Sequence, residues 1–242
     1  MSLIRTTFFV WFVLLLSCED NKKTSEEKVQ HVEQNAEKKE ETLTLEVIEE
    51  SKKTSEIKYP KLVQDSVVPF FTSYGKKNPE TRVKISTSYG DIDIQLYKDT
   101  PLHRASFIYL VKEGYFNETF FHRVVPNFII QGGNSDNVST PRKRTKIGSK
   151  YLLPAEINRR NHRYGSISGA KEYRENPNKL SLPFEFFIFL GPETSTRHLN
   201  GNYTVFGKVI SGMKVVEVIA NLPSDKGEWP LDNVYITAEV LP

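Results

Sequence analysis

From residue 81 onward the chain alternates between apolar and polar positions. Val83, Ile85 and Thr87 are separated by polar neighbours, Tyr89-Gly90-Asp91 has turn composition, and Ile92, Ile94 and Leu96 alternate again. Alternation places every second side chain on one side of a strand, so this stretch predicts a hairpin with one buried face. The period then lengthens. Ala105, Ile108 and Val111, flanked by Phe107 and Leu110, form a wide apolar stripe. Thr100 stands at the expected cap, Pro101 at the first helical position and Gly114 past the end, which predicts a helix. Short apolar runs at 119–125 and 128–132, split by Pro126-Asn127, predict two strands. Further strands are expected at 165–170, 184–190, 205–209 and 235–241, and a short helix at 213–219. Many short strands with two helices predict a mainly β fold, a closed barrel whose ends are plugged by helices.

Upstream the pattern is different. Phe8 to Leu16 is an apolar run preceded by Arg5, too short to span a bilayer but suited to an export signal. It ends in Leu15-Leu16-Ser17-Cys18, which resembles the bacterial lipobox, with Cys18 as the lipidated residue. An ordinary signal peptide with an accidental cysteine is the alternative. About half of the residues from Glu19 to Lys58 are charged, of mixed sign. Such a segment buries too little apolar surface to offset its ordering entropy, which predicts a disordered linker. The expected organisation is a signal at 1–18, a charged linker at 19–60, an N-terminal arm at 61–80 around Val67-Val68-Pro69-Phe70-Phe71, and a folded domain at 81–242.

Composition narrows the chemistry. A net charge of +3 over 242 residues is too small to imply nucleic acid. One cysteine permits no internal disulfide. No histidine pair has metal-ligand spacing and no Gly-x-Ser-x-Gly elbow occurs, so neither a metal nor a bound cofactor is expected. One polar residue is out of place. Arg123 interrupts the apolar stretch from Phe120 to Ile130. A buried guanidinium is costly unless paired. Either Arg123 works at the mouth of a pocket or its strand is half exposed and the charge is solvated. Alternation groups Phe121, Arg123 and Val125 on one face.

The stretch from Phe121 to Gly133, with His122-Arg123, Pro126-Asn127-Phe128 and Gln131-Gly132-Gly133, resembles the signature of the cyclophilin-type peptidyl-prolyl cis-trans isomerases. Gly90-Asp91-Ile92, Pro154-Ala155-Glu156, Gly165-Ser166-Ile167-Ser168, Phe186-Phe187-Ile188, Leu199-Asn200-Gly201 and Val205-Phe206-Gly207-Lys208-Val209 follow the family's order. The resemblance covers 81–241 and implies a closed eight-stranded antiparallel barrel capped by two helices.

It also implies a reaction, rotation about Xaa-Pro bonds, with Arg123 as the catalytic residue. Phe128, Ile129, Phe187 and Leu199 would line the proline pocket. Gln131 would bind substrate backbone and help orient Arg123, and Ala170 would let the peptide approach. Three further substrate-binding positions depart from the usual pattern. Glu185 replaces glutamine and could pair with Arg123 and weaken turnover, which leaves a proline-peptide binding module as the alternative function. His198 replaces tryptophan and Tyr203 a frequent histidine. The implied partners are proline-containing polypeptide clients. A monomer, held by its lipid anchor to a membrane of the cell envelope, is expected. The basic residues Arg142, Lys143, Arg144, Lys146, Arg159, Arg160 and Arg163 are either a solvated surface or an attractor for acidic chains or lipid.

Overall fold

The computed structural model describes residues 60–172 and 175–242. The export segment, Cys18 and all of the charged linker except Pro60 lie outside the described residues. Eight antiparallel strands form one sheet: β1 (Arg82–Thr87), β2 (Gly90–Leu96), β3 (Phe120–Val125), β4 (Ile129–Asn134), β5 (Ser166–Gly169), β6 (Phe186–Phe189), β7 (Val205–Ser211) and β8 (Thr237–Leu241). Their order is β3-β4-β6-β5-β7-β2-β1-β8.

The sheet is an open half-barrel, not the closed barrel expected. Its two edge strands are β3 and β8, and among the described residues the chain just before β8 reaches β3 at one bridge, between Phe120 and Tyr235. Two bonds flank that bridge, Phe121 N–H to the Val234 carbonyl (3.0 Å) and Ile236 N–H to the Thr119 carbonyl (2.8 Å). Further along, the Val124 N–H donates to the carbonyl of Glu228 (2.8 Å). A turn before β8 therefore occupies the outer edge of β3, and it covers backbone groups that a closing strand would otherwise take.

The predicted hairpin is β1–β2, with Val83, Ile85, Ile92, Ile94 and Leu96 all buried. The core behind the sheet is aromatic: Phe107 meets Phe116, Phe186 and Phe206 at 4.9–5.5 Å between centroids. The QGG end of β4 needs glycine. Gly133 has φ +99°, and a Cβ there would lie 2.1 Å from the Phe184 carbonyl oxygen.

Four α-helices are present among the described residues, two more than expected: α1 (Val67–Lys77), α2 (Pro101–Lys112), α3 (Ser139–Ile147) and α4 (Met213–Ala220). The arm is thus a helix, α1, with Pro69 in its first turn, where a missing N–H costs little. It lies on α2 through Phe71 and Tyr74, whose rings sit 5.9 and 5.3 Å from that of Tyr109. This explains why α2 is buried along the whole of 103–111 and not on a stripe alone. Arg104 of α2 ends the neighbouring helix. Its guanidinium donates to the carbonyls of Gly75 (2.9 Å), Asn78 (2.8 Å) and Glu80 (3.2 Å), groups a helix C-terminus leaves without partners.

Thr100 does not cap α2 with its side chain, contrary to expectation. The carboxylate of Glu156 does so from fifty residues away, accepting the N–H of Leu102 and of His103 at 2.9 Å each. A carboxylate satisfies two orphan donors where a threonine satisfies one, and its charge suits the positive helix end.

Phe71 is 1% exposed and also meets Tyr151 at 6.0 Å. Phe71→Ala is expected to lower stability by about 3–5 kcal/mol, the cost of emptying a packed aromatic site, as measured by urea denaturation.

Candidate functional site

Three ladders set the site. Arg123 of β3 faces Gln131 of β4, Gln131 faces Phe187 of β6, and Phe187 faces Ser168 of β5. These four residues form one cross-strand row. Two positions along, Val125, Ile129 and Phe189 form a parallel row. In a sheet such rows place side chains on the same face, about 4.8 Å apart. Ile129, Phe187, Phe189 and Leu199 pack together as a floor, with Val125, Phe128 and Tyr203 half-buried against it.

Over this floor lies a cleft of about 170 Å³ lined by Arg123, Phe128, Ile129, Gln131, Ala170, Lys171, Phe187, His198, Leu199 and Tyr203. Nine of the ten side chains expected from sequence meet there. Glu185 does not line it, and Lys171 is an addition. The His198 ring leans on Phe128 (5.7 Å), and Tyr203 stands edge-on to Phe187 (5.6 Å) beneath the Lys171 ammonium (4.8 Å).

A bulge aims Arg123. The β3–β4 register shifts between Phe121, which faces Gly132, and Arg123, which faces Gln131, so His122 is an extra residue. Simple alternation grouped Phe121 with Arg123. The bulge separates them, turning Phe121 inward onto Phe186 (6.1 Å) while Arg123 lines the cleft. The Arg123 side chain is 26% exposed, and its Nε donates to Glu228 Oε2 at 2.5 Å. Among the described residues no hydrogen-bond partner engages its two terminal nitrogens.

Glu228 is held stiffly. Its φ is +64°, a region costing a residue with a side chain roughly 1–2 kcal/mol. Asp225 fixes the turn: Oδ1 accepts from Gly227 N–H (2.7 Å) and Trp229 N–H (2.9 Å), and its carbonyl accepts from Glu228 N–H (3.1 Å). Glu228 stands 105 residues after Arg123, and no local signal marks it as a partner.

The expectation that Glu185 pairs with Arg123 is not met. Its carboxylate points to the other side, where it receives Gln131 Nε2 (2.9 Å) and Arg144 Nη2 (3.2 Å) and lies 3.6 Å from His122 Nε2. Gln131 is therefore tied to Glu185, and the side-chain bond that holds Arg123 comes from Glu228. Arg144 comes from α3, a helix that the apolar pattern did not predict. It also donates from Nε to Tyr115 Oη (2.8 Å) and from Nη2 to the Gly133 carbonyl (3.2 Å). This basic residue is thus a structural counter-charge and not part of a solvated patch.

Sequence reasoning also missed His162. Its ring stacks on Phe187 (5.8 Å, 6° between planes), and its Nε2 meets Ser168 Oγ at 2.9 Å, so it backs the floor of the cleft. Burial pushes its pKa below the usual histidine value, against the pull of the Asn200 hydrogen bond, which keeps the ring neutral at neutral pH.

A second polar cluster has the order of a hydrolytic triad, with Ser181 Oγ 3.0 Å from His103 Nε2 and His103 Nδ1 2.6 Å from Glu156. Ser181 is fully buried and His103 is 2% exposed, so no substrate reaches them. The cluster braces the start of α2. Among the described residues no group of three His, Cys, Asp or Glu side chains could hold a metal ion.

Comparison with known proteins converges. Residues 82–240 match the family model of the cyclophilin type peptidyl-prolyl cis-trans isomerases. A peptidyl-prolyl cis-trans isomerase of Schizosaccharomyces pombe is 37% identical over 162 residues, spanning 65% of this chain and 97% of the relative. One from Acinetobacter baylyi is 33% identical over 147 residues, 60% of this chain and 74% of the relative. The crystal structure of a Cryptosporidium parvum cyclophilin-type isomerase in the presence of the dipeptide Ala-Pro superimposes with a TM-score of 0.54. It is 30% identical and covers 66% of this chain and 99% of its own.

Glu185 makes the acid limb of stability testable. Burial pushes its carboxyl up, but the hydrogen bond and charge of His122, the charge of Arg144 and the Gln131 amide outweigh it and hold the group below its ordinary value of 4.5. A carboxyl with a depressed folded pKa contributes its full stabilisation above the unfolded value and loses it as pH falls through the folded one. Glu185→Gln is therefore expected to be less stable than wild type at neutral pH, with the gap in urea midpoint closing as pH falls below about 4.5.

Proposed function

The chain belongs to the cyclophilin-type peptidyl-prolyl cis-trans isomerases, and on that premise we propose that Arg123 is its catalytic residue and the cleft beside it the seat of the substrate proline. Rotation about an Xaa-Pro bond meets a barrier of about 18–20 kcal/mol because resonance gives the C–N bond double character. No covalent bond breaks. As the bond twists, conjugation is lost, the prolyl nitrogen becomes pyramidal and its lone pair returns. A donor aimed at that lone pair binds the twisted state better than the planar one, which is what accelerates the reaction.

One observation carries this reading. The Arg123 guanidinium is fixed by its Nε to Glu228 while, among the described residues, its terminal nitrogens carry no hydrogen-bond partner beside an apolar cleft. A rigid planar fork held at one corner presents its remaining donors without further ordering cost. Phe128, Ile129, Phe187 and Leu199 would receive the pyrrolidine ring, with His198 and Tyr203 at the rim. Ala170, whose backbone pairs with Glu185 and Leu182, gives the peptide a wall without bulk. The Ala-Pro dipeptide present with the Cryptosporidium relative supports a proline ligand for this cleft too. Glu185 would act at one remove, through Gln131. Since it is neutralised by Arg144, it supplies no reason for weak turnover.

Turnover of a short proline peptide tests the assignment. Arg123→Ala is expected to lower kcat/KM by about 100-fold or more, the usual cost of deleting a transition-state donor. Glu228 is assigned a positioning role. Glu228→Ala should lower kcat by about tenfold with KM little changed, a cost in the range of a lost hydrogen bond to a charged group. Glu228→Gln, which keeps an acceptor for Nε, should recover most of it. Glu228→Gly relieves the left-handed backbone and so should hold or raise stability while kcat still falls. A kcat that simply follows stability across these three variants would refute positioning.

The same reading places the enzyme in the cell envelope as a lipoprotein acting on exported polypeptides. The apolar run that ends at Ser17-Cys18 and the charged stretch after it support a lipid anchor followed by a spacer. Metabolic labelling with palmitate should mark the wild-type chain and leave Cys18→Ala unlabelled.

A further inference from the structure

A second cleft is larger than the proline groove. About 450 Å³ of space is lined by Tyr97, Arg159, Arg160, Asn161, Arg163, Tyr164, Ser166, Val205 and Lys208. Four of these side chains are cationic and none is acidic. Arg160 is locked in place, its guanidinium 4.0 Å above the Tyr97 ring and its Nη2 2.8 Å from Asp99. Arg163 has only a loose, exposed contact with Glu193 at 3.7 Å. Arg159 and Lys208 are exposed and have no acid within 4.0 Å among the described residues. A concave surface with surplus positive charge, partly rigid and flanked by two tyrosines, attracts an anion more strongly than scattered surface cations do.

Its place in the sheet suggests which anion. Ser168 belongs to the cross-strand row of the proline cleft, and Ser166, two positions earlier on β5, lines the basic cleft and faces Lys208 on β7. Residues two apart on a strand share a face, so both clefts open on the same side of the sheet. Tyr203 lines the proline cleft, and its ring meets that of the buried His162 at 6.5 Å. From the Gln131 strand to the Lys208 strand there are three strand spacings, about 14 Å. An extended polypeptide covers that distance in about four residues.

We propose that the basic cleft is a subsite for the acidic side chains of a client polypeptide, about four residues from the proline under rotation. The proposal rests on the assignment of the proline groove above and adds a substrate class to it: proline segments flanked by aspartate or glutamate. Two charge contacts at a partly exposed site are worth little each, so the effect is one of preference and capture, and it is screened by salt.

The experiment compares a neutral proline peptide with peptides carrying two glutamates four to five residues before or after the proline. Binding is read by fluorescence anisotropy and turnover by isomerisation, at low and high ionic strength. The test variant is Arg159→Ala/Lys208→Ala, which touches neither the proline groove nor a described ion pair. One of the acidic peptides should bind wild type about fivefold more tightly than the neutral one at low salt. High salt and the double variant should each remove that advantage, while turnover of the neutral peptide stays unchanged. Equal affinity of wild type for all peptides would overturn the proposal, as would a preference that survives in the double variant. Loss of binding to phosphatidylserine vesicles in that variant, with peptide affinities alike, would overturn it in favour of a lipid surface. Failure of the neutral peptide to turn over would count against Arg123 and not against the subsite, because anisotropy reads the preference without catalysis.

Discussion

A guanidinium set into an apolar wall is the constraint around which this molecule is arranged. A guanidinium in a protein does not escape desolvation by losing a proton. It must be partly wet, or paired, or both. The structure does both. One nitrogen is held by Glu228 at 2.5 Å, and the rest of the group borders a cleft whose floor is phenylalanine, isoleucine and leucine. The bulge at His122, the turn closed by Asp225 and the strained φ of Glu228 all serve to place that one contact.

The same logic governs the far side of β4. A partly buried carboxylate at position 185, just before β6, would be costly alone. It is met by Gln131, His122 and Arg144, and the last of these arrives on a helix inserted between β4 and β5. The network keeps Glu185 ionised and turned away from Arg123. The Glu185 charge is paired by a side chain 41 residues earlier in the chain. Arg144 then ties Tyr115 and the Gly133 carbonyl into the same unit, and so braces the strand that carries Gln131.

Much of the fold was legible because its elements rest on local rules. The hairpin at 82–96 follows from alternation, α2 from its apolar stripe and Pro101, and α4 from a dense apolar run. The errors have a common cause. Thr100 looked like a cap, yet Glu156 holds the helix start. The basic residues of 139–147 looked like solvated surface, yet the segment is a helix anchored by Lys143 on the Asn117 carbonyl and by Arg144 on Tyr115. Closure of the barrel looked implied, yet the turn carrying Glu228 takes the edge of β3. In each case a partner distant in sequence outcompeted the local preference.

The division for the site is equally plain. The order of the family signature implied that Arg123, Gln131 and the apolar Phe128, Ile129, Phe187 and Leu199 would line one cleft, because a shared fold fixes which residues neighbour one another across strands. Nine of the ten expected lining residues do meet in one cleft. Tertiary structure alone decided which acid holds Arg123, which way Glu185 turns, and that four cations gather beside β7 into a second cleft. Charged side chains are long, and their partners are selected by distance in space and by desolvation, quantities that a one-dimensional pattern does not contain.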